Sequence, residues 1–320
     1  MPSVSSLIVT VLAAPLLVAA QSANEQAREK GIEVKAGPAA IFFVLYLLAT
    51  LVQWFHYYRH PYRPRAYMLN LTIGMTCMCI GFLLRIKNNY AWQFLFTFLS
   101  PCAFLAADYT ILKHLARALG PQISSTCLFL PPRAIVWVFL LSDLVTFCAQ
   151  TAGTVMTIIG GEMLSVGQKI AIAGLVLQLL SFSLYTVLLF VFARRMSRNY
   201  PDSYHPPGAG GTLFKIRSKE PVNDVRLLVR VLGATCIGIL IRSVFRLVEQ
   251  ADGFFGFIAT HEAFFYLFDA TPLWLSMVLF AFVWPTRYIA GAEEATKEAE
   301  VGGAWRGEGA ELGGGGYRRK

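Results

Sequence analysis

Apolar residues in this chain come in long runs, not in the half-apolar stripes that face a soluble core. Seven runs stand out: Pro38–Tyr58, Ala66–Leu84, Asn88–Leu112, Ala134–Gly161, Ile170–Ala193, Leu227–Val248 and Ala263–Thr286. Each is long enough to cross a hydrocarbon layer, which takes about 20 helical residues, some of them with tilt. Helix is the expected conformation, because lipid offers no partner for backbone N–H and C=O groups. The strict alternation of a membrane β-barrel is absent. The pattern therefore predicts an all-α polytopic membrane protein with seven transmembrane helices. The sixth run has the weakest claim, since Arg230, Arg242 and Arg246 interrupt or flank it.

An earlier apolar run, Leu7–Ala20, is too short to span. It ends in the small residues Val18-Ala19-Ala20 and gives way to a polar stretch. Residues 1–20 are expected to be a signal peptide, although no Lys or Arg precedes the apolar core. Residues 21–37 then form a short extracellular segment, 38–290 the membrane domain, and 291–320 a cytoplasmic tail rich in Gly, Glu and Ala, disordered beyond a short helical start. The longest connector, Arg194–Arg226, holds Pro201, Pro206, Pro207 and a glycine cluster, and reads as a flexible loop.

Composition removes the main competitor. The 320 residues are 56% hydrophobic and only 15% charged, where soluble domains carry about 25% charged residues. A water-soluble enzyme or a disordered chain is therefore not expected. Of the 28 Lys and Arg, 20 fall on one set of alternating loops and the carboxyl-terminal tail, which puts the amino terminus outside and the carboxyl terminus in the cytoplasm. The formal charge of +9 is then an orientation signal. No basic stripe interleaves with exposed aromatics, so nucleic acid is not an expected partner. The six cysteines do not fall in predicted outward loops, and no disulfide framework is expected.

Charges inside spans cost about 2.5–3.5 kcal/mol each on insertion scales and usually face the bundle interior. Arg242, Arg246 and Glu249 share one face of the sixth segment, and Glu262 and Asp269, seven apart, are expected to share a face of the seventh. The bland reading of Arg242, Arg246 and Glu249 is a set of intramembrane ion pairs locking two helices. Arg246 has Glu249 or Glu262 in range, and Arg242 can reach toward Asp269. Asp143 and Asp269 lie deeper, short of obvious cations, and with Gln150 and Glu262 they are the candidates for binding or coupling a substrate. Asp143, Gln150 and Gly153 share a face of the fourth segment, where interhelical hydrogen bonding and close packing compete with a headgroup-lining role. Gln178 in the fifth segment is a weaker case of the same kind. Asp108, near Lys113, is expected to be a local ion pair. The five histidines do not converge, so neither a metal site nor a cofactor is expected, and no phosphate loop or nucleophile elbow occurs.

Several of these residues also carry a resemblance. The run Ile241-Arg242-Ser243-Val244-Phe245-Arg246-Leu247-Val248-Glu249, followed by Gly253, His261-Glu262, Tyr266, Asp269 and Pro285, resembles the signature of the fungal RTA-like proteins, or lipid-translocating exporter family. Gly81 with Arg85, Pro101 with Tyr109, Asp143 with Gln150 and Gly153, and Gly174 with Gln178 are similar to it as well. The likeness runs from about Pro38 to Pro285, and departs at Met78 and Phe82, where the family usually has Glu and Tyr. It implies seven spans, an outside amino terminus and a multi-pass protein, expected in the plasma membrane. It also implies membrane lipids and amphiphiles as partners: export of sphingoid long-chain bases, resistance to toxic amphiphiles or movement of porphyrin. A non-enzymatic translocator is the expected function, with a seven-helix sensor that regulates lipid traffic as the alternative.

Overall fold

The computed structural model describes residues 36–59, 66–87, 90–159, 163–204, 221–253 and 257–298. The expected signal peptide and most of the polar segment after it lie outside these residues. Every described element is helical: α1 Ala36–Arg59, α2 Leu69–Ile86, α3 Tyr90–Ala118, α4 Pro121–Cys127, α5 Pro132–Ile159, α6 Met163–Asn199, α7 Val225–Asp252, α8 Glu262–Phe282 and α9 over 285–298, with single helical turns at Pro201–Tyr204 and Phe257–Thr260. Six of them, α1, α2 (with the turn Ala66–Met68), α5, α6, α7 and α8, are long and apolar enough to cross a membrane. At 29 residues, α3 also exceeds the length that spanning needs.

The outer surface of the bundle differs from that of a soluble protein, while the interior is apolar in both. Leu177, Leu180, Leu184 and Val187 on α6, and Ile237, Ile241, Val244 and Val248 on α7, stand exposed. In water such continuous apolar stripes would drive aggregation; in lipid they are the solvated face. The interior holds aliphatic residues such as Leu112, Leu232 and Met277 together with aromatics, with Tyr46, Tyr109, Tyr185, Phe104 and Phe182 buried. Polar tips inside the bundle find backbone partners: the Tyr46 hydroxyl donates to the Ala270 carbonyl at 2.9 Å, and Gln53 Nε2 to the Met277 carbonyl at 2.9 Å. These two bonds tie α1 to α8.

The α5–α6 contact rests on backbone approach. A Cβ on Gly153 would sit 2.6 Å from the Gly167 carbonyl oxygen, and one on Gly167 would sit 2.7 Å from the Gly153 oxygen. Only glycine at both positions allows this crossing, as in small-residue packing between membrane helices.

Three stretches shape the connections and the last span. The connector after α3 contains α4, whose first turn is set by Pro121. A π-helical stretch, Phe265–Ala270, interrupts α8. The carboxyl-terminal tail begins with a short helix, as expected: α9 runs to 298, with Ala292 buried and the Thr296 hydroxyl donating to the Ala118 carbonyl at 3.0 Å. Gly291 makes this possible by letting α9 lie against the Val222 backbone. The rest of the tail, and residues 205–220 of the long loop, lie outside the described residues.

Candidate functional site

Two polar layers cross the bundle at different depths. The first joins α2, α7 and α8. Asp269 of α8, fully buried, receives the guanidinium groups of both Arg242 and Arg246 from α7. Arg246 also pairs with Glu249 at 2.9 Å, and Arg242 donates to the Thr97 carbonyl of α3 at 3.2 Å. Beside them Arg85 of α2 pairs with Glu262 at 2.9 Å and donates from Nε to the Tyr266 hydroxyl at 3.1 Å. The Phe265 ring stands between the two arms, 4.6 Å from the Arg85 guanidinium and 5.6 Å from that of Arg246. Three guanidinium groups thus meet three carboxylates, and the layer is neutral.

Asp269 is therefore not short of cations, as its depth on the sequence implied. It holds two. Glu262 and Asp269 also fail to share a face. The π stretch replaces the i→i−4 bond with a wider turn, seen where the Thr271 N–H and hydroxyl both reach back to the Tyr266 carbonyl, the latter at 2.7 Å. One extra residue per turn swings Asp269 toward α7 while Glu262 faces α2. Of the two acids in range, Arg246 takes Glu249; Glu262 goes to Arg85. Arg85, one residue past the second apolar run, was not among the expected members of this network. A signal was present: the buried stripe of α2 runs Leu71, Met75, Met78, Phe82, and its next helical member is Arg85.

The second layer lies among α3, α5, α6 and α7. Asp143 of α5, 3% exposed, accepts a 2.7 Å hydrogen bond from the Tyr109 hydroxyl through Oδ2, while Oδ1 has no hydrogen-bond partner. Asp108 of α3, fully buried, accepts from the Thr235 hydroxyl at 3.1 Å through Oδ2, and its Oδ1 is likewise without one. The Tyr185 hydroxyl donates to the Asp108 backbone carbonyl at 3.0 Å, and the Tyr109 and Tyr185 rings meet edge-on at 4.6 Å. Among the described residues neither acid has a salt-bridge partner. The expected Asp108–Lys113 pair does not form, because five residues along a helix turn a side chain about 140° away; only i+3 and i+4 share a face. Gln150 is engaged otherwise, donating to the Gln178 Oε1 at 2.6 Å across the glycine contact of α5 and α6.

Outside both layers, α7 and α8 frame a wholly apolar groove of about 810 Å³, lined by Ile241, Val244, Val248, Phe264 and Phe268 among others. No group of three or more potential metal ligands occurs among the described residues.

Apolar helices with exposed aliphatic faces and a charge-bearing interior define an integral membrane protein of the all-α class. Residues 71–292 match the RTA1 like protein family, and the chain belongs to it. Among curated relatives it is 28% identical to Protein RTM1 of Saccharomyces cerevisiae over 66% of this chain and 64% of that protein. It is 27% identical to Protoporphyrin uptake protein 1 of the same yeast, over 60% of this chain and 57% of that protein. It is also 24% identical to Sphingoid long-chain base transporter RSB1 of Saccharomyces cerevisiae, over 56% and 52% respectively. The chain thus spans between about half and two thirds of these relatives. No solved structure matches.

Proposed function

We propose that the chain crosses the membrane seven times, with α1, α2, α3, α5, α6, α7 and α8 as spans, its amino terminus outside and its carboxyl terminus in the cytoplasm. In that setting, expected to be the plasma membrane, it assists the movement or export of cationic amphiphiles such as sphingoid long-chain bases. The distribution of positive residues supports the orientation. The name of one relative, a sphingoid long-chain base transporter, supports a cationic amphiphile, and that of another, a protoporphyrin uptake protein, supports the broader class of amphiphiles, since protoporphyrin itself carries two carboxyl groups.

The carrying observation is Asp143. A carboxylate buried without a cation is costly, and an ammonium headgroup supplies the missing charge in a hydrogen-bonded pair with Oδ1. The hydrocarbon tail needs no site of its own inside the bundle, since lipid or the α7–α8 groove accepts it. Of the four candidate binding residues, Asp269 and Glu262 already hold arginines and Gln150 already holds Gln178, so they act as framework around the headgroup acid.

The test is transbilayer movement of a fluorescent long-chain base in vesicles containing the purified protein. Acceleration over empty vesicles, reduced to their level by Asp143→Asn, is the expected result. A folded wild-type protein that moves no probe would transfer the reading to a sensor of lipid traffic.

A further inference from the structure

Asp108 has a different environment from Asp143 and no place in headgroup binding. Its side chain is sealed completely, one oxygen held by Thr235 and the other unpartnered. The groups facing it are known from each packed element. Tyr109 lies beside it on α3, Tyr185 faces it from α6, and Thr235 with Cys236 from α7. Tyr109 in turn links to Asp143 of α5. On the α2 side Tyr67 stacks on His114, more than a turn further along α3. Among the described residues none of the groups that contact Asp108 is cationic.

Asp108 is fully sealed, whereas Asp143 is 3% exposed, so an ammonium headgroup has less access to Asp108. A metal ion is a poor occupant for a related reason. Hard cations take six or more oxygen ligands, and the described side-chain oxygens touching Asp108 amount to one hydroxyl. A proton needs one oxygen and no space.

Along α7, Thr235, Arg242, Arg246 and Glu249 follow at seven, eleven and fourteen residues, so one face of one helix carries contacts to both layers. Thr235 lies about 10 Å below Arg242 at 1.5 Å per residue. Any shift of α7 that changes the charge-balanced layer therefore also moves the hydroxyl that holds Asp108.

We propose that Asp108 is a proton-coupling site: it takes a proton from solution at one face of the membrane and releases it at the other, linked through α7 to the state of the Arg242–Asp269–Arg246 layer. Only an O–H bond is made and broken, and the driving force is a transmembrane pH difference. This inference rests on the translocator reading for its transport arm and stands without it for its spectroscopic arm.

Vesicles containing wild type, Asp108→Asn or Asp108→Glu are compared with and without an imposed pH difference, using the fluorescent long-chain base. One pH unit supplies about a tenfold bias in proton occupancy, so the wild-type rate is expected to change severalfold. Asp108→Asn is expected to lose that response and keep gradient-free exchange, and Asp108→Glu to recover part of it. A full pH response in Asp108→Asn overturns the proposal, as does dependence on sodium in place of protons.

If wild type moves no lipid, the translocator reading fails, and infrared difference spectroscopy across a pH step decides the inference separately. A deuterium-sensitive band of a protonated carboxyl is expected. It should vanish in Asp108→Asn, or, if that variant does not fold, shift in Thr235→Val, which removes only the hydroxyl bonded to Asp108. A wild-type spectrum without the band, or a band indifferent to these changes, overturns it.

Discussion

The layer that joins α2, α7 and α8 and the layer among α3, α5, α6 and α7 bury the same residue type under opposite conditions. Asp269 sits fully buried between two guanidinium groups, while Asp108 and Asp143, as deeply buried, have one hydroxyl each. Burial alone therefore does not mark a functional acid in this bundle. What separates the two is compensation. A carboxylate with paired arginines is finished, and its removal leaves a fault in the structure. A carboxylate with an unpartnered oxygen is available to an ammonium or a proton, and its removal costs the fold little. Stability and function are expected to divide along that line.

The contrast breaks most visibly at Asp269. Asp269→Asn leaves Arg242, 4% exposed, without a carboxylate, since Arg246 still has Glu249. Stranding a buried charge costs about 3–5 kcal/mol. The variant is expected to show a large fall in thermal midpoint and little folded protein in detergent. The double change Arg242→Met with Asp269→Leu, which removes both charges, is expected to regain much of that loss. An Asp269→Asn protein as stable as wild type would erase the distinction between the layers.

Glu262→Gln is the next largest. Arg85 loses its carboxylate but keeps the Tyr266 hydroxyl and the Phe265 face, and the pair is partly exposed. A loss of about 1–3 kcal/mol is expected, read as a smaller shift in the same unfolding assay. Thr235→Val follows, removing one neutral hydroxyl bond to Asp108 at about 1 kcal/mol. The order Asp269, Glu262, Thr235 is the checkable content; an inversion would place the structural weight in the wrong layer.

How much of this was legible in the sequence varies with range. The helices were legible because crossing lipid demands about 20 apolar residues in a row, and the runs differ from the observed helices mainly at their ends. The Arg242–Arg246–Glu249 face was legible because it lies within one helix. Arg242 to Asp269 was legible because a short connector makes those helices neighbours. Asp108 to Thr235 was not, being 127 residues apart and joined by a threonine that resembles any other in an apolar run. The π stretch in α8 was invisible for another reason: a period of 3.6 is assumed whenever spacing is read as a face, and Phe265–Ala270 departs from it. A short helix at the start of the tail was legible, but its docking through Gly291 was not, because that contact depends on Val222 across the fold.

The smallest expected change in stability is the one that bears most on function. In Asp143→Asn the amide oxygen still accepts from the Tyr109 hydroxyl, the side-chain volume is kept, and no cation is stranded among the described residues. The unliganded thermal midpoint is expected to move by less than about 1 kcal/mol equivalent, in either direction, because a neutral group replaces an acid with no salt bridge to lose. The difference should emerge only with ligand. A molecule that binds the folded protein stabilises it by about 2.7 kcal/mol at one hundred times its Kd. Wild type is therefore expected to rise in midpoint as a long-chain base is added, while Asp143→Asn stays flat with its baseline intact. A ceramide, which has the tail but no ammonium, should raise neither protein. Equal stabilisation of both proteins by the base would mean that tail burial, for instance in the α7–α8 groove, accounts for all of the affinity, and Asp143 would then be a packing residue whose unpartnered oxygen has no bearing on the headgroup.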